Sequence, residues 1–319
     1  MACRWLLCVA TLARAVLGIA DRDYAPGSWT ASFYRPREVH IESVGIVNEH
    51  MVFFATKLGV SALHEGLLTP LVEAADADIK SFHLCHHRSS IFYEILAKDG
   101  GVLTIYEYSL SARESVKIRV FQETVPATSL ACVDQLLLRA SPANLIAISL
   151  QQGGFGHTSV LQKFRDPEGA DALGSLSVGF AADVPSQAQL FAVAPRNRSV
   201  LRLHLVEDET TGGLHLGGSE LLVAGGDGGD GPLSEASALE PRQVLWNHGK
   251  VIFSDGCSVR QIDGGLVTTL LGAPAECVEP GNETLAPVPW ATRISAPAAL
   301  AAEAEGTAGA AVLVLTAAQ

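Results

Sequence analysis

The densest group of side chains able to carry out chemistry is the run from His83 to His87, which reads His-Leu-Cys-His-His. Imidazole and thiolate groups are zinc ligands, and an extended strand would place His83, Cys85 and His87 on one face. Side chains two residues apart on one strand lie about 7 Å apart, which suits a chelate poorly unless another segment supplies ligands. We therefore predict no metal site, and interpret the run as a polar inner strand lining a channel.

Patterns for nucleophilic or phosphate chemistry are missing from the rest of the sequence. No Gly-x-Ser-x-Gly turn occurs, and the glycine-rich segment 151–157 lacks the lysine of a phosphate loop. The glycine- and aspartate-rich segment 227–231 offers too few carboxylates for tight Ca²⁺ binding. The sequence predicts no catalytic residues and no cofactor.

Charge and hydropathy limit the classes of partner that the protein can bind and indicate the compartment in which it resides. The chain has 22 Lys+Arg against 34 Asp+Glu, a net charge of −12 that disfavours nucleic acid and anionic lipid. Residues 1–20 are typical of a secretory signal peptide, with Gly18 and Ala20 before a cleavage at Asp21. An N-terminal anchor helix is the alternative, although the apolar run is short for a bilayer of roughly 30 Å. No later segment is long enough to span a membrane, so we predict a secreted protein.

The cysteines and glycosylation sequons agree with that route. Four cysteines lie beyond residue 20, and their connectivity is open among three pairings. They are Cys85, Cys132, Cys257 and Cys277. Asn197 and Asn282 each begin an Asn-x-Ser/Thr sequon. We expect disulfides and glycosylation at these positions if the chain is secreted.

Short β-branched or aromatic runs recur between Gly, Pro, Asn and Asp, and helical periodicity is nearly absent. Aligned on the second strand of each group, the starts are Met51, Ile91, Leu136, Leu190, Val251 and Val312. Intervals of 40 to 61 residues, with about four strands each, are typical of β-propeller blades. A tandem of β-sandwiches is the alternative. We predict an all-β fold in which residues 21–319 form one six-bladed propeller.

Residues 221–319 carry a family resemblance. The elements of one repeat occur in order: Ala224-Gly225 ending an outer strand, a Gly/Asp-rich loop, Pro241 opening an inner strand, Ser254-Asp255, Arg260 and the closing Gly272. This segment, 221–272, resembles an NHL repeat, and an incomplete second copy spans 291–319. The resemblance implies a propeller of NHL type, and together with the six strand starts it predicts a six-bladed NHL-type propeller.

The last repeat contains only two strands, so we expect another segment to complete it. The β-rich stretch from Trp29 to Ile41 is predicted to pair with Val312 to Leu315, which would remove an exposed edge. A truncated fragment of a longer protein is the alternative. The predicted inner strands are Val44 to Val47, Leu130 to Val133, Leu176 to Phe180, Gln243 to Leu245 and Ala298 to Ala301.

Within this fold, Cys257 and Cys277 are predicted to form a disulfide, since their turns should emerge on one face. Closing a loop of about 20 residues is worth about 3 kcal/mol in the chain-entropy model. A bond between Cys85 and Cys132 is less favoured, because neighbouring inner strands can exceed the roughly 7 Å limit between Cα atoms.

The same face is predicted to bind the ligand, through Trp246, His248 and Asp255, with Trp246 as the aromatic anchor. The alternative for Trp246 is a tryptophan buried in packing between blades.

Three functions follow as hypotheses. The first is a secreted, non-enzymatic propeller that binds an extracellular protein, peptide or glycan. The second is a metal-dependent propeller enzyme of the lyase or lactonase kind, which would need ligands such as His86, His248 and Asp255 to converge on the channel. The third is a piece of a larger surface or adhesive protein.

Overall fold

The protein is described here by a computed structural model. The described residues are 41–48, 51–56, 59–64, 67–74, 77–98, 101–122, 125–151, 155–164, 172–180, 188–207, 214–247, 249–278, 297–302 and 312–316. The predicted signal peptide, residues 29–40 of the closing segment, His248 and Asn282 lie outside them. Ile41, the one described residue of the closing segment, pairs with Thr56 in the first sheet and not with Val312 to Leu315. The signal peptide, and closure of the last blade by residues 29–40, stay predictions.

The first three sheets are four-stranded antiparallel meanders, with strands in chain order. Blade one contains β1 (Ile41–Asn48), β2 (Met51–Thr56), β3 (Gly59–His64) and β4 (Leu67–Glu73). Blade two contains β5 (Ala77–Cys85), β6 (Ser90–Ala97), β7 (Leu103–Ser109) and β8 (Glu114–Phe121). Blade three contains β9 (Ser129–Val133), β10 (Leu136–Ala140), β11 (Asn144–Ser149) and β12 (Thr158–Lys163).

Two further sheets follow the same plan, each with a short fifth strand added. Blade four contains β13 (Ser175–Phe180), β14 (Ala188–Ala194), β15 (Ser199–Glu207) and β16 (Leu214–Gly225). The short strands are β17 (Gly231–Pro232) and β18 (Ser237–Ala238), of which β18 joins blade four and β17 joins blade five. Blade five contains β19 (Pro241–Asn247), β20 (Lys250–Asp255), β21 (Ser258–Asp263) and β22 (Leu266–Gly272). A sixth sheet has only β23 (Pro297–Ala302) and β24 (Val312–Thr316).

Burial follows position in the blade. The second strand is apolar on both faces because neighbouring blades cover both sides, and Ile91, Phe92 and Tyr93 of β6 are all buried. The fourth strand lies at the rim, and in β8 only Ile118 is buried. This gradient explains why the second strands gave the clearest period in the sequence.

The first strands form a closed ring around the propeller axis. Each lies beside the first strand of the next blade, in the order β1, β5, β9, β13, β19 and β23, and β23 also lies beside β1. All five predicted inner strands fall within β1, β9, β13, β19 and β23.

The prediction of six complete blades is wrong in number. The described residues form five complete blades, and a two-stranded sheet occupies the sixth place in the ring. The period of the second strands gives the number of sheets in the ring. A complete blade also needs two outer strands, and among the described residues the sheet of β23 and β24 has none.

Side chains of one inner strand accept hydrogen bonds from backbone N–H groups of the next. Ser175 and Ser177 Oγ of β13 accept from the N–H groups of Val244 (3.2 Å) and Trp246 (2.8 Å) of β19. Ser129 Oγ of β9 accepts from Leu176 N–H of β13 (3.1 Å). The blades are therefore joined by specific polar contacts as well as apolar packing.

Candidate functional site

The two ends of the ring are formed by different kinds of connection between strands. At the hairpin end, tight turns connect the first and second strands of the blades, as at residues 86–89 and 134–135. At the crossover end, each inner strand begins after the chain arrives from the preceding blade. The register of blade five pairs Pro241 with Asp255, and Trp246 with Val251. Asp255 therefore lies at the crossover end and Trp246 at the hairpin end, about 16 Å away at 3.3 Å per residue.

The predicted ligand-face residues Trp246 and Asp255 are thus not brought together, and His248 is outside the described residues. Asp255 and Arg260 are both 0% exposed. Arg260 Nη1 donates to Asp255 Oδ2 at 2.6 Å, and Asp255 Oδ1 accepts from the N–H groups of Leu239 and Glu240. Asp255 therefore fixes the entry of the inner strand from inside the blade.

The Gly/Asp-rich loop before that strand is held by the same arginine. Arg260 Nη2 donates to the carbonyl of Gly229 (2.6 Å) and to Asp230 Oδ1 (2.9 Å). Asp230 also accepts from the N–H and hydroxyl of Thr269. The described contacts of this loop hold the chain onto its own blade, which gives a physical reason for the Asp-then-Arg spacing in the sequence.

An exposed aspartate at the tip organises the rest of the loop. The Ser237 hydroxyl donates to Asp227 Oδ1 at 2.8 Å and accepts from the N–H groups of Gly228 and Gly229. The hydrogen bond from Ser237, with smaller help from backbone N–H groups, lowers the pKa of Asp227. Ser237 thus links the two arms of the turn.

The predicted disulfide between Cys257 and Cys277 is present, with a Cα–Cα distance of 5.0 Å. Cys257 lies in the turn between β20 and β21, and Cys277 in the segment after β22. The bond therefore anchors the chain leaving blade five to the crossover end of that blade.

Trp246 is half-buried and packs against the hydrophobic cluster between blades four and five. A Cβ added at Gly179 of β13 would lie 2.3 Å from its indole ring, so only a glycine leaves room there. Trp246 therefore has a packing role between blades, the alternative raised from the sequence.

Cys85 and Cys132 also form a disulfide, with a Cα–Cα distance of 5.9 Å. The sequence-based expectation against this bond is wrong. The ends of β5 and β9 converge at the hairpin end, within the distance that a disulfide can bridge. The bond cross-links blades two and three at the ring itself.

The histidines around this disulfide have distinct environments. His83 accepts a hydrogen bond at Nε2 from the N–H of Cys132 (3.2 Å), and burial, reinforced by His86 and His87, lowers its pKa well below the usual range. His86 and His87 are exposed in the 3-10 turn that follows β5. Burial of part of the ring, with His87 nearby, also lowers the pKa of His86. His83 is therefore a neutral structural acceptor, whereas His86 and His87 face solvent.

Neighbouring polar groups complete a surface that we call the hairpin-end surface, formed by His86, His87, Arg88, Asp134 and Gln135. Arg88 Nη1 donates to Gln135 Oε1 (2.9 Å), and Arg88 also contacts Glu107 Oε1 (3.4 Å). His87 Nε2 contacts the backbone carbonyl of Asp134 at 3.0 Å. This surface presents exposed polar groups on two cross-linked blades. The sequence singled out its histidines but not Asp134 and Gln135, which lie in an ordinary turn.

Comparisons with known proteins support the fold. The structure is similar to an auxiliary nutrient binding protein from Bacteroides thetaiotaomicron, at 14% identity over 82% of this chain with a TM-score of 0.57. It is also similar to one from Bacteroides ovatus, at 12% identity over 79% of this chain with a TM-score of 0.50. The chain spans 63% and 60% of the lengths of these proteins. At this identity the likeness shows the β-propeller fold alone.

No protein-family model matches the sequence, and no curated protein matches it. Among the described residues, no helix has the length and apolar character needed to cross a bilayer.

Proposed function

We propose that this chain is a secreted, non-enzymatic propeller of NHL type that binds a protein, peptide or glycan at its hairpin-end surface. The observation that carries the proposal is the pair of exposed imidazoles, His86 and His87, on a turn that the Cys85–Cys132 disulfide fixes across two blades. A rigid frame lowers the entropy lost when exposed side chains engage a ligand. Loops on such frames are frequent binding sites.

The propeller neighbours favour a binding role, since two of them are named auxiliary nutrient binding proteins. The NHL assignment is supported by the Asp255–Arg260 contact, because it joins two residues of the repeat-like segment 221–272 inside blade five. Secretion is favoured by two disulfides, because such bonds persist in oxidising compartments. Asn197 is exposed in the turn between β14 and β15, where a glycan could be accommodated.

The enzyme hypothesis is not favoured by the placement of its ligand set. His86 lies at the hairpin end, whereas Asp255 is buried at the crossover end against Arg260. Those two side chains do not face a shared channel position.

The binding proposal is tested with secreted, disulfide-intact protein on arrays of defined glycans and on an immobilised peptide library. We expect the wild type to retain a reproducible subset of these probes, and His86→Ala with Gln135→Ala to reduce binding at least tenfold. The matched control is Arg242→Ala, an exposed arginine at the crossover end of the same ring. Equal losses in the control, or unchanged binding by the double variant, would place the site elsewhere.

Secretion is tested separately by expressing the full chain in eukaryotic cells. We expect the chain in the medium, with a mass that falls on enzymatic removal of N-linked glycans, and a smaller fall for Asn197→Gln. Retention of an uncleaved chain inside the cells would contradict the assignment.

A further inference from the structure

Three potential metal ligands meet at the Cys85–Cys132 disulfide. The sulfur of Cys85 lies 3.7 Å from both His87 Nδ1 and His87 Nε2, and the sulfur of Cys132 lies 4.0 Å from Nδ1. Ligand atoms of all three residues lie within 4.8 Å of one another, and they are the one such group found among the described residues. The second segment that a chelate at His83–His87 would need is therefore β9, through Cys132.

A second contact fixes the chemistry of the imidazole. His87 Nε2 lies 3.0 Å from the carbonyl oxygen of Asp134. Because a carbonyl only accepts hydrogen bonds, this contact is a hydrogen bond in the tautomer with the proton on Nε2, which leaves the lone pair of Nδ1 for a metal. Histidine ligands of metals are commonly oriented in this way, by donating their other N–H to a carbonyl or carboxylate.

The distances agree with tetrahedral coordination. With Zn–S of about 2.3 Å and Zn–N of about 2.1 Å, a tetrahedral angle separates sulfur and nitrogen by about 3.6 Å. The sulfur–nitrogen distances here are 3.7 and 4.0 Å. Only the sulfur–sulfur separation is too short, because the two atoms are covalently bonded.

We propose that reduction of this disulfide opens a three-ligand site for Zn²⁺ or a similar borderline-soft divalent cation, formed by Cys85, Cys132 and His87 Nδ1. A dithiol reductant breaks the S–S bond, becomes a disulfide itself, and leaves two Cys thiols. The cation then binds both sulfurs and the imidazole nitrogen, and the two thiol protons go to solvent. Two M–S bonds replace two S–H bonds, and the metal is neither oxidised nor reduced.

The site would have an open fourth position, because His87 is exposed to solvent while Cys85 and Cys132 are buried. A water molecule or a donor group of a ligand could occupy it, as in zinc sites with three protein ligands. The Cys257–Cys277 disulfide differs, since no comparable group of ligands surrounds it among the described residues. Oxidation state would thus switch one cross-link between a covalent and a metal-mediated form.

The test uses the Cys257→Ser/Cys277→Ser variant without residues 1–20, and therefore without Cys3 and Cys8, so that only the Cys85–Cys132 bond responds to reductant. This protein is titrated with Co²⁺ before and after reduction with a phosphine, and thiolate-to-cobalt charge-transfer absorption is recorded. We expect one Co²⁺ per reduced chain, with displacement by Zn²⁺, and no such band for the oxidised protein. His87→Gln should weaken Co²⁺ binding at least tenfold, whereas His64→Gln, outside the cluster, should not change it.

If reduction destabilises the fold, the Tm of the reduced protein with and without Zn²⁺ provides a second measurement of metal binding. Zn²⁺ bound to the folded state must raise the Tm of the reduced protein. Absence of both the charge-transfer band and a Zn²⁺-dependent rise in Tm would overturn the proposal. So would equal Co²⁺ binding by the oxidised protein or by His87→Gln.

Discussion

Two buried arginine–carboxylate pairs hold different parts of the propeller together. In blade five, Arg260 and Asp255 are five residues apart in sequence and lie on adjacent strands of one sheet. Between blades two and three, Arg139 Nε donates to Glu94 Oε1 at 2.7 Å across 45 residues of sequence. All four side chains are 0% exposed, and each arginine also lies over a phenylalanine ring, Phe253 or Phe121.

The difference lies in what each pair fixes. Arg260 also contacts backbone carbonyls and Asp230 of the loop that precedes its own inner strand. Glu94 of β6 and Arg139 of β10 belong to different sheets, and both bind the segment that connects β8 to β9. In that segment, Ala127 N–H donates to Glu94 Oε2, and the Val125 carbonyl accepts from Arg139 Nη2. The same chemistry thus shapes one blade in the first case and joins two blades in the second.

The largest expected effect comes from breaking the pair between blades. Arg139→Met should lower the free energy of unfolding by about 3–5 kcal/mol, because it leaves the Glu94 carboxylate buried without its guanidinium. Denaturant unfolding measures the loss. Glu94→Gln combined with Arg139→Met should recover part of it, whereas Lys80→Met, at a partly exposed pair with Asp78, should change stability by about 0.5 kcal/mol or less. A loss below about 1 kcal/mol for Arg139→Met would contradict the assignment.

Breaking the pair within blade five should cost less and act locally. Asp255→Asn is expected to destabilise by about 2 kcal/mol, since Arg260 keeps its contact with Asp230. Hydrogen exchange should rise in residues 226–240 and stay unchanged in blade two. Uniform loss of protection across all blades would show that this pair, too, joins the blades.

Apolar packing between blades can be tested at Gly179. Gly179→Ala places a Cβ against the Trp246 indole and should destabilise by about 1–3 kcal/mol through overpacking. Gly218→Ala in the same blade is the control, because no atom lies within 4 Å of the added carbon. Equal Tm values for the two variants would argue against close packing of β13 on β19.

The smallest effect is expected from one polar contact between inner strands. Ser177→Ala removes the acceptor of the Trp246 N–H and should destabilise by about 1 kcal/mol. Chemical denaturation of this variant beside Ser111→Ala, an exposed serine in the turn after β7, isolates the contact. A Ser177→Ala protein as stable as the control would show that the ring does not depend on this bond.

Much of the fold could be predicted because it depends on sequence patterns within short segments. Second strands are buried on both sides and so appear as apolar runs at a blade-sized period, and the inner strands follow from that period. The Cys257–Cys277 disulfide was also predictable, since both cysteines belong to one blade and its exit. The Glu94–Arg139 pair was missed, although one charged residue within each of two apolar strands, β6 and β10, was a signal for a buried partner.

The candidate site was harder to predict, because it depends on how different blades meet. Trp246 and Asp255 were expected on one face, yet the antiparallel register separates them to opposite ends of a hairpin. The approach of Cys132 to Cys85 and His87 depends on the spacing between inner strands, which no single strand specifies.

The sequence by itself determined the all-β class, the repeating groups of strands and the Cys257–Cys277 pairing, because hydrophobic period and glycine turns act between residues close in the chain, and because both cysteines belong to one blade and its exit. Tertiary structure alone decided that the described residues form five complete blades, and it alone decided the ring contacts, the buried arginine–carboxylate pairs, the Cys85–Cys132 bond and the end of the propeller at which each side chain lies. These depend on distances between separate sheets, which are set by the packing of side chains from distant segments into one ring.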